Sequence, residues 1–324
     1  MFPEAFIYIG IFILSCTVFY FSGSWIIGGV SKISYRFGWR EFVLAFLVMA
    51  FTSSLPNFFV GITSALKGVP ELSFGDVIGG NLIALTVAAP LALFFSVKKE
   101  ITAASRTVQW SLFFTLGAAL LPSVLVFNGV LTRVDGVILI SFFFAYVIWL
   151  FYKRERFILE RSQRKKEEVP SDSDLNLRDV LKILVSLVLI VIAAQGIVIS
   201  ATYFAEGFGL SLLMIGVLIV GVGNSLPQIY FASTASFKGD NWMLLGCVMG
   251  SVVIPATLVL GLVSLMSPIP VDNVDVAMAG RIFLVVAAIV FFFSLKTSQK
   301  LVVQEALLLL AIYGAFLGYV FFVH

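Results

Sequence analysis

Apolar runs of about 20 residues, the length an α-helix needs to cross a hydrocarbon layer, recur ten times along this 324-residue chain. With 60% hydrophobic and only 12% charged residues, the chain has too little polar surface to enclose that much apolar mass in water. In lipid every backbone group must be satisfied internally, and runs this long achieve that as helices rather than as the short alternating strands of a barrel. The expected fold is an all-α integral membrane protein. Its spans fall near 4–30, 41–66, 72–96, 107–127, 133–152, 179–204, 208–237, 242–267, 276–295 and 301–323.

Charge then orients the spans. The opening Met1-Phe2-Pro3-Glu4 lacks the positive start of a secretory signal, while Lys32, Arg36 and Arg40 follow the first run. That run reads as a retained helix with its N-terminus outside. Alternating the loops places 18 of the 21 Lys and Arg residues on one side and only Lys67, Arg133 and Arg281 on the other. The basic side is therefore expected to be cytoplasmic, with both termini outside and a plasma (inner) membrane location. The net charge of +3 reports topology and gives no reason to expect nucleic acid. The only histidine is His324, and Cys16 and Cys247 both lie inside spans. No zinc motif, disulfide framework or hydrolytic pair arises, so neither an enzyme nor a resident cofactor is expected. The oligomeric state is not fixed by these features.

The chain also repeats itself. Residues 54–88 align without a gap on 225–259 at an offset of 171, with eleven of 35 positions identical. They include Pro56/Pro227, Lys67/Lys238, Gly68/Gly239, Gly75/Gly246 and Gly79/Gly250, which membrane composition alone does not supply. The offset spans five helices, an odd number, so the second copy crosses the bilayer in the opposite sense: a 5+5 inverted-topology repeat. The implied organisation is an N-terminal half, 1–152, and a C-terminal half, 179–324, joined by the charged cytoplasmic linker 153–178. That linker reads as a solvated tether, with lipid or regulator binding as the alternative.

Both copies carry Ser-Leu-Pro followed by an amide: Ser53-Ser54-Leu55-Pro56-Asn57 and Asn224-Ser225-Leu226-Pro227-Gln228. Proline has no N–H for the carbonyl four residues earlier, so helix breaks are expected at Pro56 and Pro227, exposing backbone oxygens inside the membrane. Ser53, Ser54, Asn57, Asn224, Ser225 and Gln228 add side-chain oxygens within about one turn. Two inverted helices broken in this way would converge on a central site, although ordinary proline kinks are the alternative. The next helix of each copy contributes Gly75, Gly79 and Gly80, or Gly246, Gly250 and Ser251, for close packing or for exposing backbone to a substrate. Asn81 lies further along and needs a polar partner. Asp76 is the one acid expected away from loops and span ends, either a functional carboxylate able to exchange a proton or an acid near the helix start. Its neighbourhood faintly suggests an aspartyl protease, but that chemistry needs a second carboxylate, and no second mid-membrane Asp is evident.

Residues 44–88 and 215–259 resemble the two alpha-repeats of the sodium/calcium exchanger family, within the cation/calcium antiporter superfamily. That family's pattern, G-T-S-x-P-E followed by G-N-x-x-G-S-N, meets T-S-S-L-P-N and G-D-V-I-G-G-N here, then G-N-S-L-P-Q and G-C-V-M-G-S-V. The resemblance implies a secondary-active transporter working by alternating access, by default a Na+/Ca2+ or Ca2+/H+ exchanger. Its partners would be the lipid bilayer and an inorganic cation and/or a proton. The family's acid after each proline is a principal cation ligand, and here those positions hold Asn57 and Gln228. Further family ligands would fall at Ala84 and Pro255, which offer no side-chain oxygen. The expected site is Ser53, Ser54, Asn57, Asp76, Asn81, Asn224, Ser225, Gln228 and Ser251, with Asn57, Asp76 and Gln228 as the metal candidates. With at most one negative charge, it suits a monovalent cation, a proton or a polar substrate better than a divalent ion. A membrane scaffold or sensor that has lost transport is the rival reading.

Overall fold

The computed structural model describes residues 2–36, 42–96, 98–152, 177–237, 239, 241–271 and 275–323; most of the predicted linker, 153–176, lies outside them. Among these described residues, ten long helical segments follow one another: α1 Phe2–Arg36, α2 Phe42–Leu66, α3 Pro70–Phe95, α4 Arg106–Leu125, α5 Arg133–Tyr152, α6 Leu177–Phe208, α7 Leu212–Phe237, α8 Asn241–Met266, α9 Asp275–Thr297 and α10 Val303–Val323. They match the ten expected spans, with α1, α6 and α9 extending past them at both ends.

Local chemistry sets several starts. Pro70 occupies the first turn of α3, where its missing N–H costs nothing, and Glu71 beside it favours the positive helix end. Ser105 caps α4 by accepting from Thr107 N, and Ser211 caps α7 by accepting from Met214 N. Asp135 reaches back at the start of α5 to accept from Thr132 N at 2.8 Å and Thr132 Oγ1 at 2.6 Å. The α2–α3 and α7–α8 turns each use a glycine with positive φ, Gly68 at 74° and Gly239 at 73°, which are partners under the 171-residue offset.

The inverted repeat is visible in the packing. Helix α1 lies along its counterpart α6, and α4 along its counterpart α9; α2 packs on α8 as α7 packs on α3. Among the described residues, two short antiparallel pairs join the halves. Strand β1 (Glu100–Thr102) pairs with β4 (Lys300–Val302), while β2 (Val130–Leu131) pairs with β3 (Ile269–Pro270). Helices α3 and α8 are the most enclosed, with 83% and 89% of their most apolar stretch buried, whereas α1, α5 and α10 turn large apolar side chains such as Phe6, Ile148 and Phe321 outward. That division is the one a lipid-embedded bundle requires.

One expectation needs correcting. Helices α2 and α7 run through Pro56 and Pro227 without a break. A proline removes one hydrogen bond, and in a packed bundle the remaining bonds hold the helix together. The departures from α geometry lie elsewhere, in π-turns at Gly216–Val220 in α7, Ala84–Ala88 in α3 and Pro255–Val259 in α8. The last two are repeat partners under the same offset.

Candidate ion-binding site

The site begins with glycine. A Cβ on Gly75 would land on the Leu213 carbonyl oxygen and one on Gly79 on that of Val217. From the other side, a Cβ on Gly216 would lie 2.6 Å from Leu72 O, and one on Gly221 2.8 Å from Gly80 N. Helices α3 and α7 therefore cross backbone to backbone, which is packing rather than an opening for substrate. The π-turn Gly216–Val220 of α7 forms part of this crossing.

The crossing delivers Asp76 to the other repeat. Its carboxylate is fully buried; Oδ2 accepts from Asn57 Nδ2 at 3.0 Å, and Oδ1 accepts from Asn224 Nδ2 at 2.9 Å. One amide belongs to α2 of the first repeat and the other to α7 of the second. Asp76 is only the seventh residue of α3, but Asn224 is the thirteenth of the 26 residues of α7. The carboxylate thus sits at the depth of the middle of α7, a position that its own helix does not suggest. It is the only buried acid among the described residues, and no cluster of three or more His, Cys, Asp or Glu side chains occurs among them.

The repeat offset assigns each of these side chains a counterpart. Asp76, Asn57 and Asn224 correspond to Cys247, Gln228 and Ser53. The Cys247 thiol lies 3.9 Å from the backbone carbonyl oxygen of Gln228, not from its side-chain amide. Sequence reading assigned Cys247 no role; the offset makes it the counterpart of Asp76. Gln228 Nε2 and Asn224 Oδ1 are both buried and make no hydrogen bond. The first is an unused donor, the second an unused acceptor on the residue whose Nδ2 serves the carboxylate.

The remaining predicted residues divide. Ser53 and Ser54 donate to Ala50 O at 3.0 and 2.8 Å, Ser225 to Gly221 O at 2.6 Å and Ser251 to Val248 O at 2.9 Å. Their protons are spent on their own helices, and each oxygen keeps lone pairs that can accept. Gly80 leaves space beside Asn57 and Ser225, since a Cβ there would lie 3.5 and 3.6 Å from their polar atoms. Asn81 lies apart from the carboxylate and donates at 3.4 Å to Val252 O, the backbone of its own repeat counterpart. Position 252 carries valine, so the reciprocal bond cannot form. Helix α1 closes one flank, where Cys16 lines an apolar cleft of about 480 Å³ between α1 and α7.

Chemically, the arrangement is one formal negative charge held between inverted halves, with neutral oxygens around it. Such a group can hold one positive charge or exchange a proton. A dehydrated divalent ion would be left undercompensated.

Comparison with known proteins fits this architecture. The model of the family described as sodium/calcium exchanger protein matches residues 7–152 and 179–322. The sodium/calcium exchanger MaX1 of Methanosarcina acetivorans is 26% identical over 94% of this chain and 96% of its own. An uncharacterized membrane protein of Methanocaldococcus jannaschii is 25% identical over 94% and 95%, and the inner membrane protein YrbG of Escherichia coli 25% over 83% of both chains. A solved structure of the sodium-calcium exchanger NCX_Mj superposes with a TM-score of 0.68 at 22% identity, covering 97% of this chain and 98% of that one. On the match across both halves, this chain belongs to the sodium/calcium exchanger protein family.

Proposed function

We propose that the protein is a secondary-active cation antiporter whose transported ion is held at Asp76 between the two repeats. The observation that carries this is the carboxylate shared by Asn57 of one repeat and Asn224 of the other. A group tied to both halves changes its surroundings whenever one half moves against the other, as alternating access requires. Membership of the exchanger family and the relative named as a sodium/calcium exchanger support a cation as substrate. The single buried charge favours a monovalent cation or a proton as the ion seated at Asp76. Ser53, Ser54, Asn57, Asn224, Ser225, Gln228 and Ser251 would supply neutral oxygens, while Asn81 steadies the contact between α3 and α8. The basic loops support cytoplasmic placement of the 153–178 side, with both termini outside.

The test is flux into proteoliposomes holding the purified chain under imposed Na+ and pH gradients, with labelled Ca2+, Na+ and K+, beside Asp76→Asn. Gradient-driven cation flux that the substitution abolishes is the expected result. Flux unchanged by Asp76→Asn removes Asp76 from the path, and no flux from folded protein turns the reading to a non-transporting scaffold.

A further inference from the structure

We infer that a cleft on the side opposite the basic loops seats a membrane lipid with a zwitterionic aminophosphate headgroup, of the phosphatidylethanolamine class. The cleft, of about 440 Å³, lies between the start of α1, the end of α6 and the α2–α3 turn, and its walls include Tyr8, Lys67, Val69, Ile199, Tyr203 and Glu206. That volume falls within the roughly 300–1,000 Å³ of small-ligand sites. The cation and the anion in it are both unpaired: among the described residues, neither Lys67 nor Glu206 makes an ion pair or a side-chain hydrogen bond, and both are exposed. Partial burial lowers the Lys67 pKa with no carboxylate to offset it, and a phosphate there would offset it. The lysine is fixed by its turn, in which Gly68 takes a φ of 74°, Lys67 N donates to Thr63 O at 3.0 Å and Val69 N donates to Ser64 O at 2.9 Å. Lys67 is also one of only three Lys or Arg residues assigned to this side against 18 on the other, so the rule that orients the chain does not account for it. Tyr8 and Tyr203 stack with ring centroids 3.9 Å apart and planes 15° apart, and tyrosine is the ring expected at headgroup depth. On the same two helices Phe6 and Ile199 are exposed apolar side chains, so the cleft opens along a lipid-facing flank. A cation and an anion in one cleft fit a ligand that carries both charges. Lys67 suits the phosphate, and Glu206 can accept from a primary ammonium, which a choline headgroup cannot offer as a donor and a glycerol headgroup lacks. Val69 and Ile199 suit the upper acyl chains.

The test uses the full-length chain, freed of lipid in detergent, with dioleoyl phosphatidylethanolamine, phosphatidylcholine or phosphatidylglycerol added at equal ratios. Native mass spectrometry reads the lipid bound, and scanning fluorimetry reads the melting temperature. The ethanolamine lipid is expected to bind and stabilise more than the other two. Lys67→Gln is expected to weaken its binding about fivefold, the scale of one lysine beside a lipid headgroup. Glu206→Gln is expected to move the preference toward phosphatidylglycerol, because it removes the carboxylate that repels an anionic lipid. Both side chains are exposed, so neither substitution threatens the fold, and a merely structural role would lower melting equally in all three lipids. Equal binding of the three lipids by the unaltered protein overturns the inference, as does a preference that neither substitution changes. Stabilisation by soluble phosphoethanolamine to the same extent assigns the cleft to a soluble ligand and overturns the lipid. None of these outcomes depends on ion flux, so the antiport reading stands or falls separately.

Discussion

Substituting Asp76 in two ways separates its place in the structure from its charge. Asp76→Ala leaves Asn57 Nδ2 and Asn224 Nδ2 buried without an acceptor. Each stranded donor costs about 1–3 kcal/mol, so the loss is about 2–6 kcal/mol. Asp76→Asn behaves differently. Its Oδ1 can keep one amide donor, and its new NH2 can be met by Asn224 turning over to present Oδ1, an atom that has no partner to lose. Two charge-assisted bonds at about 1.5–3 kcal/mol each become two neutral ones at about 0.5–1.5. Against that loss of a few kcal/mol stands the relief of no longer burying an ion, which is worth several kcal/mol. The expected order of melting temperature in detergent is therefore Asp76→Asn close to wild type, with Asp76→Ala clearly below both. Scanning fluorimetry measures it on the three proteins side by side. Equal melting of the Ala and Asn variants would refute the reasoning, because it would mean that the two amides do not depend on an oxygen at position 76.

The crossing of α3 and α7 has no room for a side chain at Gly75, so Gly75→Val is expected to cost at least the roughly 1–3 kcal/mol typical of overpacking. The chain should lose folded yield in size-exclusion chromatography, whereas Gly314→Ala, with open space around it, should not. At the membrane edge, the Lys300–Glu100 ion pair is largely solvent-exposed, and Glu100→Gln should change stability by no more than about 0.5 kcal/mol in a urea or thermal titration. Gln109→Leu is expected to cost more, about 1–3 kcal/mol in the same assay, because Nε2 donates to both Ala103 O at 2.9 Å and Leu295 O at 2.7 Å.

How far the sequence could be read depended on distance along the chain. The ten spans were legible because hydrophobic length is a local property, and the 171-residue offset exposed the inverted repeat because both copies still carry the same proline and glycines. The predicted breaks at Pro56 and Pro227 failed because a missing donor is a local fact, while the survival of the helix around it is set by neighbouring helices. The π-turns at Ala84–Ala88 and Pro255–Val259 carried no sequence signal that a propensity argument could use. Asn81 was read with the central site, but its partner is the Val252 carbonyl across the repeat.

By itself, the sequence determined that this chain lies in a membrane as ten helices in two opposed halves, and that few charges are available at its centre. Those properties follow from apolar run length, charge placement and internal similarity. Only the tertiary structure decided that Asp76, seven residues into α3, reaches the middle of α7 and is gripped by an amide from each repeat. That outcome depends on α3 and α7 crossing at backbone contact, and where two helices cross is set by which glycines face each other in space rather than by either segment alone.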